Sequence, residues 1–222
     1  MVLFKVNGER NSGTNFLLNI LKTNNFPAIA DHVLPQSVIR YWKHGVPNPE
    51  VKMIDERVID IFIFRDLESW LVSMFHNPYE LSRNFDTLEQ FLTTKLIPNT
   101  PLKKPSGIIL NHDDKDKTIF HVRYHKFENI INYKNTQRDV ILVNLSYLQN
   151  ETNLQEFLQT LNDLYIHKPI TNYILRIPHT KSGKENKNRS YTEDINTYEN
   201  IISKHRNDNI ETFINSLTFS IH

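Results

Sequence analysis

Gly8 and Gly13 bracket four residues, Glu9-Arg10-Asn11-Ser12, and the run Thr14-Asn15-Phe16-Leu17-Leu18 follows them. Glycines at this spacing, between a short apolar strand and an amphipathic run, suit the binding of a phosphate. Backbone N–H groups converge at the turn, and the helix N-terminus adds its partial positive charge. The spacing fits a Walker-type loop, but Thr14 stands where nucleoside-triphosphate hydrolases place Lys. The loop therefore points away from ordinary ATP and GTP hydrolysis. A plain helix start fits the same residues, with Ser12 or Thr14 as cap and Phe16, Leu17, Ile20 and Leu21 as the buried stripe. A second pair of polar residues stands at the end of another apolar run. Arg65 follows the apolar run 58–64, and Ser73 comes eight residues later. If those eight steps are helical, the two Cα atoms stand about 12 Å apart, a gap that a long Arg side chain closes around one phosphate. The planar guanidinium pairs two phosphate oxygens at once. The plainer alternative is a local Arg65–Asp66 ion pair, with Ser73 incidental.

Ser12-Gly13-Thr14-Asn15 resembles the 5′-phosphosulfate loop of the sulfotransferase superfamily, which reads Ser-Gly-Thr-Thr or Ser-Gly-Thr-Asn at a strand-to-helix turn. Sulfotransferases also hold the 3′-phosphate of their cofactor with an Arg at a strand end and a Ser eight residues on, which matches Arg65 and Ser73. Gly8 through Asn15, Trp42-Lys43-His44-Gly45, Phe64-Arg65-Asp66, Trp70-Leu71-Val72-Ser73 and Pro78-Tyr79 resemble one branch of sulfotransferase-like P-loop proteins. Val122-Arg123-Tyr124-His125-Lys126-Phe127 is similar to that branch's Arg-x-x-Lys element. Residues 139–148 are similar to the strand that usually runs into Tyr-Glu-Asp-Leu. All of these matches lie within residues 3–148. The resemblance implies a three-layer α/β fold of the P-loop NTPase-like sulfotransferase type, with a central parallel sheet flanked by helices. It also implies 3′-phosphoadenylyl sulfate (PAPS) as donor, 3′,5′-adenosine bisphosphate as product, and no required metal. The reaction would be in-line transfer of a sulfuryl group to a hydroxyl or amine acceptor, which the sequence does not identify.

Such a transfer places charge on the moving oxygens and on the leaving phosphate, so fixed donors and cations are needed, together with a base for the acceptor proton. His44 is the first choice for that base, because Trp42-Lys43-His44-Gly45-Val46-Pro47 is similar to the segment carrying the catalytic His of cytosolic sulfotransferases. His32, in Asp31-His32-Val33-Leu34-Pro35, competes with it. Lys43 and Arg10 are the cations assigned to the phosphosulfate. Arg10, Asn11, Ser12, Gly13, Thr14 and Asn15 form the expected cradle, with Arg65 and Ser73 on the 3′-phosphate. Lys181, Gly183 and Lys184 loosely resemble the late loop that closes over the nucleotide. Two departures stand out. Asn11 occupies the position of the Lys or Arg that stabilises the departing oxygen, and Leu145-Ser146-Tyr147-Leu148 replaces Tyr-Glu-Asp-Leu. Asn donates a hydrogen bond but carries no charge, so Arg10 or Lys43 must take over that task. Two other functions stay open. One is a P-loop phosphotransferase with Asp66 as a Mg²⁺ ligand, and the other is a non-catalytic nucleotide-binding module.

Strands are expected near 2–6, 27–30, 58–64, 139–144 and 172–177. Helices are expected near 14–23, 67–76, 87–95, 123–134, 152–164 and 195–216, the last broken around residues 207–209. This alternation predicts α/β layering around a parallel sheet, in one domain over residues 1–222. Residues 97–118, with Pro98, Pro101, Pro105 and Gly107, read as a long surface excursion and an acceptor-side lid candidate. With 39% hydrophobic and 23% charged residues the chain has enough apolar surface for a core. A net charge of +1 gives no polyanion signature, so no nucleic-acid partner is expected. The absence of cysteine excludes disulfides and thiolate metal sites. No apolar run approaches the ~18 residues of a membrane span, and no apolar leader precedes the first motif. A cytoplasmic protein without a membrane partner is therefore expected.

Overall fold

The computed structural model describes residues 2–9, 11–29, 58–76, 85–95, 118–136, 139–169, 172–176 and 194–221. In chain order the elements begin with β1 (Leu3–Gly8), α1 (Thr14–Thr23), β2 (Ala28–Ile29), β3 (Val58–Phe64), α2 (Leu67–His76) and α3 (Leu88–Thr93). Then come α4 (Ile119–Thr136), β4 (Val140–Asn144), α5 (Leu145–Gln149), α6 (Glu151–Leu161), α7 (Glu199–His205), α8 (Asp208–Ser216) and β5 (Phe219–Ile221). A π-helical turn, Asn162–Ile166, ends α6, and a 3₁₀ turn, Ile195–Tyr198, leads into α7.

The five strands form one sheet in the order β2-β1-β3-β4-β5. All neighbours are parallel except β4 and β5, which are antiparallel. Alternation along β3 explains the layering. Ile59, Ile61 and Ile63 pack on one face with Leu17, Ile20 and Leu21 of α1 and Phe157 and Leu158 of α6. Phe62 and Phe64 pack on the other face with Phe127 and Ile130 of α4 and Ile210 and Ile214 of α8. β4 repeats the pattern, Ile141 and Val143 against Val140 and Leu142. A strand covered on both faces must be apolar at every position, and 58–64 is so except at Asp60. Helix α2 builds a further core through Trp70, Leu71 and Met74 against Phe91 of α3, Phe120 of α4 and Ile202 of α7. No described helix is long and apolar enough to cross a membrane.

Several sequence expectations are corrected. Residues 172–176 are not a sheet strand: the Asn24 side chain hydrogen-bonds Ile174 instead, with Nδ2 on its carbonyl at 2.9 Å and Oδ1 accepting its N–H at 2.7 Å. The amide thus stands in for a neighbouring strand. The edge beside β4 is taken by β5, which is antiparallel, so the sheet is mostly rather than wholly parallel. The break expected around residues 207–209 of the helix over 195–216 falls at Arg206-Asn207, where the Asn207 side chain accepts from the N–H of Ile210 and caps α8, and the first turn of that stretch is 3₁₀. Helix α4 starts four residues earlier than expected, and α5 was not expected. The lid candidate, residues 97–118, lies outside the described residues except for Thr118.

Candidate functional site

The chain leaves β1 toward β2 on one side of the sheet, whereas β3 and β4 continue on the other. The gap above β1 and β3 is therefore a topological switch point, and in open α/β sheets ligands bind just beyond the strand ends at such a point. Gly8 pairs with Ile63 at the ends of these two strands. The β1–α1 turn and Arg65 both emerge there.

The turn is built by close approach. A Cβ on Gly8 would lie 2.5 Å from both the Ile63 carbonyl oxygen and Ser12 Oγ, so only glycine fits. Gly13 is left-handed, with φ at 98°, and a Cβ there would meet Leu145 Cδ1 at 2.7 Å. Asn11 is also left-handed, with φ at 60°, a conformation that Asn tolerates better than most residues. Ser12 is fully buried, and both its Oγ (2.7 Å) and its N–H (3.3 Å) donate to the Glu9 carbonyl. Its role is to close the turn. Gly13 starts α1 without a side-chain cap, so the first-turn N–H groups have no side-chain acceptor at that position. Thr14 is buried and Asn15 exposed on that turn.

Arg65 and Ser73 come together as their spacing implied. Both line an open cavity of about 410 Å³, shared with Glu68, Ser69, His76 and Ile195. Asn11 ties the cavity to the turn. Its carbonyl accepts from Arg65 Nη1 at 3.2 Å, and its Nδ2 donates to the Ser73 carbonyl and to Met74 Sδ, each at 3.2 Å. Asp66 caps α2, its Oδ1 accepting the Ser69 N–H at 2.8 Å. A second cavity, about 550 Å³ and lined in part by Asn24, Asn25, Lys168 and Asn172, lies at the far end of α1, away from these motifs.

Beneath the turn is a group that sequence reasoning assigned no role. Glu9 is 4% exposed, and its Oε2 accepts from Arg123 Nη1 at 2.6 Å. Arg123 in turn grips Glu211 with Nε (2.8 Å) and Nη2 (2.9 Å), donates Nη2 to the Arg65 carbonyl at 2.8 Å, and lies 4.9 Å from the Trp70 ring centroid. Lys126 Nζ donates to the Gly8 carbonyl at 3.3 Å. Burial pushes the Glu9 carboxyl above its ordinary range and Glu211 adds to the rise, against the pull of Arg123 and Lys126. Burial works to lower Arg123, but the charge of Glu9 and the hydrogen bond and charge of Glu211 hold it above its ordinary value. A second polar chain runs along the same face. Lys5 Nζ donates to Asn7 Oδ1 (2.9 Å), Asn7 Nδ2 to Asp60 Oδ1 (2.7 Å), and the Tyr133 hydroxyl to Asp60 Oδ2 (2.8 Å). The signal for the second group was present: an acid inside an apolar strand, such as Asp60, and polar residues at alternate strand positions, such as Lys5 and Asn7, must find buried partners.

Arg10, His32, Lys43, His44, Lys181, Gly183 and Lys184 lie outside the described residues. No family model, no curated protein and no solved structure matches the chain.

Proposed function

We propose that this chain is a sulfotransferase, binding PAPS across the β1/β3 switch point and passing its sulfuryl group to a hydroxyl or amine acceptor. One observation carries the reading: an uncapped helix N-terminus and an Arg–Ser cavity stand side by side at this point, joined through Asn11. These are two anion subsites, as a nucleotide with phosphates at both its 3′ and 5′ positions requires. The residues fit such a ligand. Backbone N–H groups of the turn and of α1 take the 5′-phosphosulfate, while Arg65 and the Ser73 hydroxyl take the 3′-phosphate. The bound donor supplies the activated sulfuryl group. The chain's own residues orient it, neutralise the leaving phosphate and take the acceptor proton, tasks that the sequence assigns to Arg10, Lys43 and His44.

The engagement of Asn11 favours a second reading, a module that binds the nucleotide without turnover. Its side-chain amide is held on the backbone of Ser73 and the sulfur of Met74, so the place of the usual cation is taken by a neutral group that already has partners. A phosphotransferase using Asp66 for Mg²⁺ is less favoured, because Asp66 caps α2 and Thr14 replaces the loop Lys.

Calorimetry with 3′,5′-adenosine bisphosphate, beside ATP with Mg²⁺, tests the proposal. Wild type is expected to bind the bisphosphate selectively, and Arg65→Ala to bind it about 30-fold or more weakly, as loss of a bidentate phosphate contact implies. Binding of ATP alone, dependent on Mg²⁺, would instead establish the phosphotransferase. Bisphosphate binding without sulfuryl transfer across a panel of hydroxyl and amine acceptors would leave the binding module standing.

A further inference from the structure

We infer that Arg123 is a positioning residue that sets the spacing between the two anion subsites, so that a doubly phosphorylated nucleotide engages both at once. The inference rests on the two-subsite reading above. Arg123 is 1% exposed and touches neither subsite's ligand-facing surface. It acts through others. One arm holds Glu9, the residue that supplies the carbonyl closing the β1–α1 turn. Another arm holds the main-chain carbonyl of Arg65. The remaining donors lock onto Glu211 of α8, and the guanidinium lies over Trp70 of α2. One rigid, planar group thus fixes both halves of the site against a shared, dry support. Among the described residues the halves are also tied laterally, from Asn11 to Arg65, Ser73 and Met74, and through the pairing of Gly8 with Ile63 at the strand ends.

The consequence is specific. Once one phosphate of a bisphosphate is bound, the other sees its own subsite at a high effective concentration, provided the spacing is held. Loosening the spacing lowers that advantage but leaves each subsite able to bind a single phosphate. Lysine cannot replace Arg123 here, because one compact ammonium cannot reach Glu9, Glu211 and the Arg65 carbonyl together.

The test compares 3′,5′-adenosine bisphosphate with 5′-AMP and 3′-AMP by calorimetry, in wild type, Arg123→Lys and Glu9→Gln. The readout is the ratio of the bisphosphate affinity to that of the tighter monophosphate. In wild type it should be about 100 or more. In Arg123→Lys it should fall about tenfold, and in Glu9→Gln about fivefold, with each monophosphate affinity changed by no more than about threefold. A general loss of stability would not select between these ligands at a temperature where circular dichroism shows the variant folded. An unchanged ratio in folded Arg123→Lys overturns the inference and leaves the two-subsite reading intact. If Arg123→Lys does not fold, Glu9→Gln decides alone, and an unchanged ratio there overturns it. If wild type binds none of the three nucleotides, or shows no bisphosphate preference, the two-subsite reading fails and the inference with it.

Discussion

Glu9 places one carboxylate oxygen on Arg123 and buries the other, Oε1, with no donor among the described residues. Its carboxyl is raised above the ordinary value of 4.5, by burial first and by Glu211 second. The sign follows directly. Between 4.5 and the raised value the folded chain binds more protons than the unfolded chain, so stability from this group is present at low pH and is lost as pH rises through the folded pKa. Glu9→Gln cannot titrate. Urea denaturation of both proteins from pH 4.5 upward should show wild type losing stability relative to Glu9→Gln as pH rises, with the gap flattening once Glu9 is ionised. A gap that stays constant, or that moves in the opposite direction, would contradict the assignment. At this scale the sequence was legible where residue type and spacing set the local path of the chain. Gly8, Gly13, Arg65 and Ser73 sit where their types and spacing put them. Glu9, Arg123 and Glu211 were not legible as a group, because their separations in sequence of 114 and 88 residues give no local pattern.

Among the elements, those with strong local periodicity were read accurately. The apolar run 58–64 and the helices 14–23 and 67–76 match their boundaries, since a run covered on both faces or an amphipathic stripe leaves little freedom. The edge of the sheet was misread because its occupancy is decided by tertiary contact. Residues 172–176 have a strand-like composition, Asn-Tyr-Ile-Leu-Arg, yet Asn24 satisfies the backbone of Ile174 from the end of α1. β5 has only three residues and no signal of its own. Asn24 is 7% exposed, and its amide also donates to the Ile20 carbonyl at 2.9 Å. Asn24→Ala leaves these backbone groups without their partner and is expected to cost about 1–3 kcal/mol. The check is amide hydrogen exchange. Ile174 should lose protection in the variant while Ile61 and Leu142, inside the sheet, keep theirs; unchanged protection at Ile174 would remove Asn24 from this role.

For the molecule as a whole, two Arg–Glu contacts of similar length carry very different weight. Arg176 and Glu151 meet at 2.5 Å, but their side chains are 86% and 53% exposed, so water and salt screen the pair. Arg123 and Glu211 are both fully buried. Glu211→Ala leaves a buried guanidinium short of an acid and is expected to destabilise the fold by about 3–5 kcal/mol. Arg176→Ala should cost at most about 1 kcal/mol. Chemical denaturation of the two variants separates these expectations, and equal effects would mean that Arg123 is held mainly by Glu9. The Glu9–Arg123–Glu211 cluster also imposes an order in time. The β1–α1 turn is synthesised roughly 200 residues ahead of Glu211. At roughly 5–20 residues per second, about 10–40 s separate their appearance. Throughout that interval the nascent turn lacks its final anchor. A nascent chain halted before residue 211 would therefore hold the complete Gly8–Asn15 segment in its sequence without yet possessing the buried cluster that supports its turn.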